Sequence, residues 1–411
     1  MRIVSGTALA AGAVRQRRLA PCRSFIATWE HARGCLSRWD RRLAPCRSLV
    51  ATPRFRLDNA LVLCAQEVIV DQVLSPIESK IMELRTADQL LELMRGYQIP
   101  CVLAAAADLD LFHLLATAPQ NARMIADRLS ANESAITVLL DALSAIGMLV
   151  KSQDQYSLAP AVAPFLLDDA PQSVSAMLRH QANCLRHWAR LPWIVQAGES
   201  VEDDNSIRGP DADQQSFIEA MHVVSKTVAK PLIAAVRPES FQCVLDIGGG
   251  SGTWTAAWCK AEPAARAILF DLPDVIPMAQ KRLDTLGISQ RVTLIPGDYH
   301  CDPLPRGADL VWLSAIIHQN SPEQNRSLYH RIAAALEPGG RLLIRDIVME
   351  PSRTEPLAGA LFAVNMLVHT QGGNCYTLSE IRDDLEAAGF VQVAWTHRDE
   401  GMNSVVSALR G

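Results

Sequence analysis

The run Asp246-Ile247-Gly248-Gly249-Gly250-Ser251-Gly252 follows the apolar stretch Cys243-Val244-Leu245 and precedes a helix-like stretch from Thr253 to Ala261. Its glycines therefore occupy a strand-to-helix turn, where bare backbone can approach a ligand closely. A nucleotide pyrophosphate docks on backbone N–H groups at a helix N-terminus, and an adjacent carboxylate repels it. A cation tolerates that acid. S-adenosylmethionine carries a sulfonium and an ammonium and no phosphate. Asp246 with Gly248, Gly250 and Gly252 thus predicts a cradle for that cofactor.

Further acids stand where such a ligand needs them. The apolar stretch Ala267-Ile268-Leu269-Phe270 ends in Asp271, about twenty residues beyond the glycines, where a carboxylate takes both ribose hydroxyls. Val292-Thr293-Leu294-Ile295 leads into Gly297-Asp298-Tyr299, which adds an acid and an aromatic at a third strand end. A fourth strand, Ala308 to Leu313, runs into His318. A histidine is ordinarily structural, but the carboxyl ends of strands are where open α/β sheets bind ligands. Methyl transfer to a hydroxyl needs a base of near-neutral pKa, and His318 is the candidate.

Asp-Ile-Gly-Gly-Gly-Ser-Gly, Phe-Asp-Leu-Pro-Asp-Val, Pro-Gly-Asp-Tyr, Ile-Ile-His and Glu337-Pro338-Gly339-Gly340-Arg341-Leu342-Leu343-Ile344 occur in that order. Together they resemble the class I S-adenosylmethionine-dependent methyltransferases, and more narrowly the acetylserotonin or caffeate type of small-molecule O-methyltransferase. The similarity extends upstream through residues near 88 to 200. It implies His318 as base, Asp346 as the acid that orients it, and a pocket near the transferable methyl lined by Phe217 and Met221. It also implies an N-terminal module that forms a homodimer. The chain departs from the pattern in three places. Gln319-Asn320 stands for Asp-Trp, Ser314 for a Lys or Arg, and Cys375 for a second Glu. Tyr299 is then expected to pack the adenine, with Ser314 or Asn320 supplying a hydrogen bond. The departures keep C- or N-methylation open, and also a non-catalytic, cofactor-sensing protein on the same fold.

The acceptor side is expected on the segment Leu357 to Thr370, where Phe362, Asn365, Met366 and His369 recur at helical spacing. Apolar and aromatic lining suits a flat, hydrophobic small-molecule acceptor, and Asn365 with His369 could grip a hydroxyl.

These residues need elements to position them. The chain is 49% apolar, ample for cores, and no apolar run is long enough to span a membrane. Ten cysteines without a Cys-x-x-Cys pair argue against a zinc site or a disulfide framework and predict no metal and a reducing cytoplasm. Residues 1–57 hold twelve Arg against Glu30 and Asp40, a balance of +10, so the remainder carries −15 to reach the net −5. An acidic body makes nucleic acid a poor ligand. The basic leader contains a duplicated segment, Arg17 to Thr28 recurring as Arg41 to Thr52. Its composition predicts a disordered or upstream-translated extension more than a targeting segment.

From Ala87 the pattern turns helical, and the apolar residues Leu90, Leu91, Met94 and Tyr97 predict a buried face. Helices over Ala122 to Leu129 and Ala135 to Ile146 are followed by a hairpin of Met148 to Lys151 with Gln155 to Leu158, the order of a winged helix. The stretch Ala135 to Leu143 has no Arg or Lys to reach bases or phosphates, which favours dimerisation over DNA binding. The sequence therefore predicts an extension over 1–72, a winged-helix dimerisation domain over 73–185 and a helical connector over 186–236. A Rossmann-like α/β catalytic domain with a mostly parallel sheet follows over 237–411.

Overall fold

A computed structural model describes residues 85–200 and 205–411. The basic leader with its repeat, the boundary at 72/73 and the acids Asp203 and Asp204 lie outside the described residues.

The N-terminal module is a small winged helix. Asn121 and Asn132 cap the helices Ala122–Leu129 and Glu133–Ala145, their side-chain oxygens accepting the N–H groups of Met124 and Ala135. The second helix thus begins two residues before the expected Ala135, because Asn132 is its cap and Glu133 suits the positive end of the helix dipole. Its buried residues Ile136, Leu140 and Leu143 recur at i, i+4 and i+7 and face Leu111, Ile125 and Tyr156. Strand β1 (Gln120–Asn121) flanks the hairpin of β2 (Leu149–Ser152) and β3 (Gln155–Leu158), in the order β1-β3-β2.

One expectation fails in this module. The helix Ala87–Arg95 has no buried residue, and Leu90, Leu91, Met94 and Tyr97 are 51–66% exposed. Among the described residues, no element covers that apolar face. The helix Ser175–Trp188 also runs unbroken through the expected boundary at 185/186 and packs against the helix Pro210–Ser225.

The C-terminal part is a seven-stranded sheet. Its strands are β4 (Cys243–Ile247), β5 (Arg266–Asp271), β6 (Val292–Pro296), β7 (Leu310–Ser314) and β8 (Arg341–Asp346), closed by β11 (Phe390–His397) and β12 (Ser404–Arg410). The order is β11-β12-β8-β7-β4-β5-β6, parallel except where β12 pairs with β8 and β11. Two-residue strands β9 (Val348–Met349) and β10 (Tyr376–Thr377) pair separately. The central strands are apolar along their middles because both faces are covered. Leu310 and Trp312 enter the cluster with Trp254 and Trp258, whereas Val311 and Leu313 enter the cluster with Leu328 and Ile332. From β4 the chain proceeds outward to β5 and β6, then returns to β7 on the other side. The β4/β7 boundary is therefore the point where strand order reverses, and ligands bind in the crevice at that point.

Arg291 braces the helix Thr253–Ala261 that leaves this crevice. Its guanidinium donates to the carbonyl oxygens of Cys259 at 2.9 Å, Pro263 at 2.8 Å and Ala265 at 3.3 Å, satisfying carbonyls at and beyond the helix end. Arg291→Met is expected to lower the unfolding free energy by about 2 kcal/mol, the worth of charge-assisted hydrogen bonds lost at a partly buried site. Urea titration checks this, and an unchanged midpoint would show that water replaces the guanidinium without cost.

Candidate active site

The glycine loop leaves β4 with Gly248 at φ 68 and Gly250 at φ 55, in the left-handed region that disfavours side chains. A Cβ on Gly248 would lie 2.5 Å from the Ile316 side chain, whereas one on Gly250 would meet nothing within 4 Å. The loop is thus packed from below and open above. Asp271, at the end of β5, holds it there. One carboxylate oxygen accepts the Gly250 N–H at 2.7 Å and the other accepts the Leu272 N–H at 2.7 Å. A carboxylate offers about four lone-pair sites, so part of its capacity is left for hydroxyls.

Asp246 is a correction. Its side chain is 1% exposed and accepts the Thr255 hydroxyl at 2.5 Å, tying β4 to the following helix beneath the loop. Burial pushes its carboxyl up to about 7. It does not present a carboxylate to a ligand, because the loop folds over it and Gly249 lies on top.

At the end of β6, the Gly297 N–H bonds the Asp271 carbonyl at 2.9 Å, which brings Asp298 beside Asp271. One Asp298 oxygen accepts the His300 N–H at 2.8 Å. Tyr299 is half-buried against the core beside Asp298, and its ring lies 4.4 Å from that of His300. Ser314, at the end of β7, is buried and accepts the Arg345 guanidinium at 3.1 Å. Arg345 is the residue that the sequence reading missed. It lies 4.7 Å over the Trp254 ring, donates twice to the Asn403 side-chain oxygen, and has no carboxylate within 4.0 Å among the described residues. Burial pulls its guanidinium down to about 10. The signal for it was the register, since Ser314 pairs with Arg345 across β7 and β8.

His318 lies in the turn Ile317–Gln319, entered through Ala315 at φ 58. Its Nδ1 is 2.8 and 3.0 Å from the two oxygens of Asp346, which is 1% exposed and also accepts the Ile347 N–H. A hydrogen bond from Nδ1 fixes the tautomer and leaves the Nε2 lone pair available. The Phe362 ring stands edge-on to the imidazole, 4.9 Å between centroids. Asn320, expected near an adenine, is instead fully buried and donates to Asn325 at 2.9 Å. Cys375 is 1% exposed among Ile347 and Met349, and burial pushes its thiol up to about 12. It fills an apolar position and gives His318 no second partner.

On the expected acceptor side, the helix Leu357–His369 carries Phe362 to His318, but two of its polar groups are occupied. The Asn365 amide oxygen accepts the Trp188 indole N–H at 2.9 Å, and His369 Nδ1 bonds the Asn365 carbonyl at 2.8 Å. They satisfy local groups rather than standing free to grip a hydroxyl. Met366 is buried. His187 packs edge-on against His369 at 4.5 Å, and Phe217, 37% exposed, packs against His180 at 5.2 Å; Met221 is half-buried one turn on. His180 and His187 thus pack against the same wall. Among the described residues, no group of three or more His, Cys, Asp or Glu is placed to hold a metal ion, and no helix is long and apolar enough to cross a membrane.

Comparison with known proteins identifies the family. The O-methyltransferase domain family matches residues 198–391, and the O-methyltransferase dimerisation domain matches residues 91–168. The 3-hydroxy-5-methyl-1-naphthoate 3-O-methyltransferase of Streptomyces sahachiroi is 30% identical over 78% of this chain and 94% of its own length. This chain belongs to the O-methyltransferase family. The tetracenomycin polyketide synthesis 8-O-methyl transferase TcmO of Streptomyces glaucescens is 31% identical over 76% of this chain and 94% of its own. A solved structure of PigF with SAH superposes with a TM-score of 0.69 at 26% identity, covering 79% of this chain and 100% of that one. The protein is an O-methyltransferase with an N-terminal dimerisation domain.

The Asp246 geometry makes a pH prediction for this O-methyltransferase. Because its folded pKa lies above that of an unfolded aspartate, the native state holds the proton longer, and stability falls as pH rises from about 4 to about 7. Asp246→Asn keeps an acceptor for Thr255 without the charge. Relative to that variant, the parent is expected to lose about 1–3 kcal/mol between pH 5 and 8, levelling above pH 7. A pH-independent difference in urea midpoints would mean that Asp246 is not buried as a carboxyl group.

Proposed function

We propose that this O-methyltransferase methylates a hydroxyl of a small aromatic or polyketide-like acceptor, with S-adenosylmethionine as donor. The observation that carries the reading is the His318–Asp346 pair, buried at a strand end beside the glycine loop with Nε2 available and Phe362 against the ring.

The donor site fits the donor's chemistry. The open space above Gly250 leaves room at the loop, Asp271 and Asp298 offer acceptors for hydroxyl and amine groups, and Tyr299 offers a flat apolar surface. Arg345 and Ser314 put a cation near the first turn of the helix Thr253–Ala261, where a carboxylate is favoured. When bound, S-adenosylmethionine supplies an electrophilic methyl group on a sulfonium. The chain's task is then to hold the acceptor in line and remove its proton. His318 accepts the hydroxyl proton at Nε2, and Asp346 stabilises the imidazolium so formed through Nδ1. The apolar wall around Phe362 keeps bulk water from competing as nucleophile.

The exposed apolar face of Leu90, Leu91, Met94 and Tyr97 lies in and around the segment matched by the dimerisation family. A second copy of the chain covering that face accounts for an apolar surface that the described residues leave uncovered. The buried positions of Asn320, whose amide donates to Asn325, and of Cys375 support an active enzyme, because these departures sit in packing roles around the base and do not displace it.

The test is product release with a panel of phenolic acceptors. His318→Ala is expected to lower kcat about 10²–10⁴-fold, the usual worth of a general base, while donor affinity stays within about twofold. A panel on which His318→Ala matches the parent would remove His318 as base, and acceptance of amines alone would move the reading to N-methylation.

A further inference from the structure

Along the helix that leaves the crevice lies a trough of about 1070 Å³. It is walled by the helices Pro210–Ser225, Ala229–Val236, Thr253–Ala261 and Ile276–Thr285. Each wall presents one helical face. Thr253, Ala256, Ala257, Lys260 and Ala261 recur at i, i+3, i+4, i+7 and i+8, and Met278, Lys281, Arg282 and Thr285 at i, i+3, i+4 and i+7.

The charge of the trough is opposite to that of the molecule. Lys226, Lys230, Arg237, Lys260, Lys281 and Arg282 line it, against the single carboxylate Glu219, whereas residues 58–411 carry −15. Arg282 is half-buried, and its Nε is buried with no acceptor among the described residues. His222, whose Nδ1 lies 2.8 Å from the Thr253 hydroxyl, is held down to about 4 by burial and then by the fields of Arg282 and Lys226. The cations do not converge on one point. Lys230 and Arg237 stand two turns apart, about 11 Å along one helix axis, with Ala234 between them. Alanines 229, 256 and 257 form an uncharged floor on which a backbone can lie close. A compact anion would leave most of these charges unused, but an extended acidic surface would meet them all.

We propose that this trough binds an acidic amphipathic helix of a partner protein, with carboxylates on the basic rims and small apolar residues on the alanine floor. Such helix-in-groove recognition lays the apolar face of a bound helix on the groove floor, here the alanines, and leaves its carboxylates to the basic rims. The ion pairs set register and speed encounter more than they add affinity. The inference stands apart from the methyl-transfer reading, since none of these side chains belongs to the proposed catalytic or donor-binding set.

The probe is a fluorescent peptide of about 18 residues, five helical turns, built from Glu, Ala and Leu with carboxylates on one face. A scrambled peptide of equal composition serves as control. The full chain is expected to bind the periodic peptide with micromolar affinity by anisotropy, at least about tenfold more tightly than the scrambled one, and more weakly as salt rises. Lys230 and Lys281 are exposed, so Lys230→Glu with Lys281→Glu is expected to keep the fold and the methyl-transfer rate and to lose about tenfold in peptide affinity. Absence of binding by folded protein, equal binding of the scrambled peptide, or undiminished binding by the double variant would each overturn the proposal. Displacement by inorganic triphosphate at lower concentration than the peptide would overturn it as well, in favour of a small polyanion.

Discussion

Asp271 accepts the Gly250 N–H at 2.7 Å, and this bond joins the ends of two adjacent parallel strands across the place where the chain must turn into a helix. A loop of glycines has a high conformational entropy in the unfolded chain and few side chains to fix it. The carboxylate fixes it from outside, while the Asp246–Thr255 bond fixes it from below. The open face above Gly250 is the result. Asp271 therefore shapes the cradle as well as lining it, a double duty that a strand-end acid achieves because its four lone-pair sites exceed what the two backbone donors use.

The same crevice carries the base from its other side. β7 and β8 are parallel neighbours, so adjacent side chains of β8 go to opposite faces of the sheet. Asp346 reaches His318 on one face and Arg345 reaches Ser314 and Trp254 on the other. One strand end thus supplies a negative partner for His318 and a positive neighbour for the proposed donor site. A one-residue slip of β8 would exchange the two, which makes register the condition for chemistry here.

The strands, the glycine turn and the winged helix were legible in the sequence, because apolar runs and strand-end polar residues report the backbone directly, and the His318–Asp346 pairing was implied by the family resemblance. Side-chain destinations were less so. Asp246 reads as a free acid beside glycines, yet the turn folds over it, and only three-dimensional packing shows that Gly249 lies above it. Asn365 and His369 look available at helical spacing until Trp188, 177 residues away, takes the amide oxygen. Arg345 was hidden for the opposite reason, since its role depends on a residue missing at position 314. The apolar face of the helix Ala87–Arg95 reads as core because periodicity marks a face to be covered, and says nothing of which chain covers it.

The most direct test of the account is calorimetric titration of S-adenosylmethionine into the full chain and into Asp271→Ala, with unfolding midpoints measured alongside. The account predicts micromolar binding by the parent and a loss of about thirtyfold or more in the variant, the worth of the charge-assisted hydrogen bonds that shape and line the cradle. Equal affinities in two folded proteins would contradict it, and would place the donor somewhere other than above Gly250.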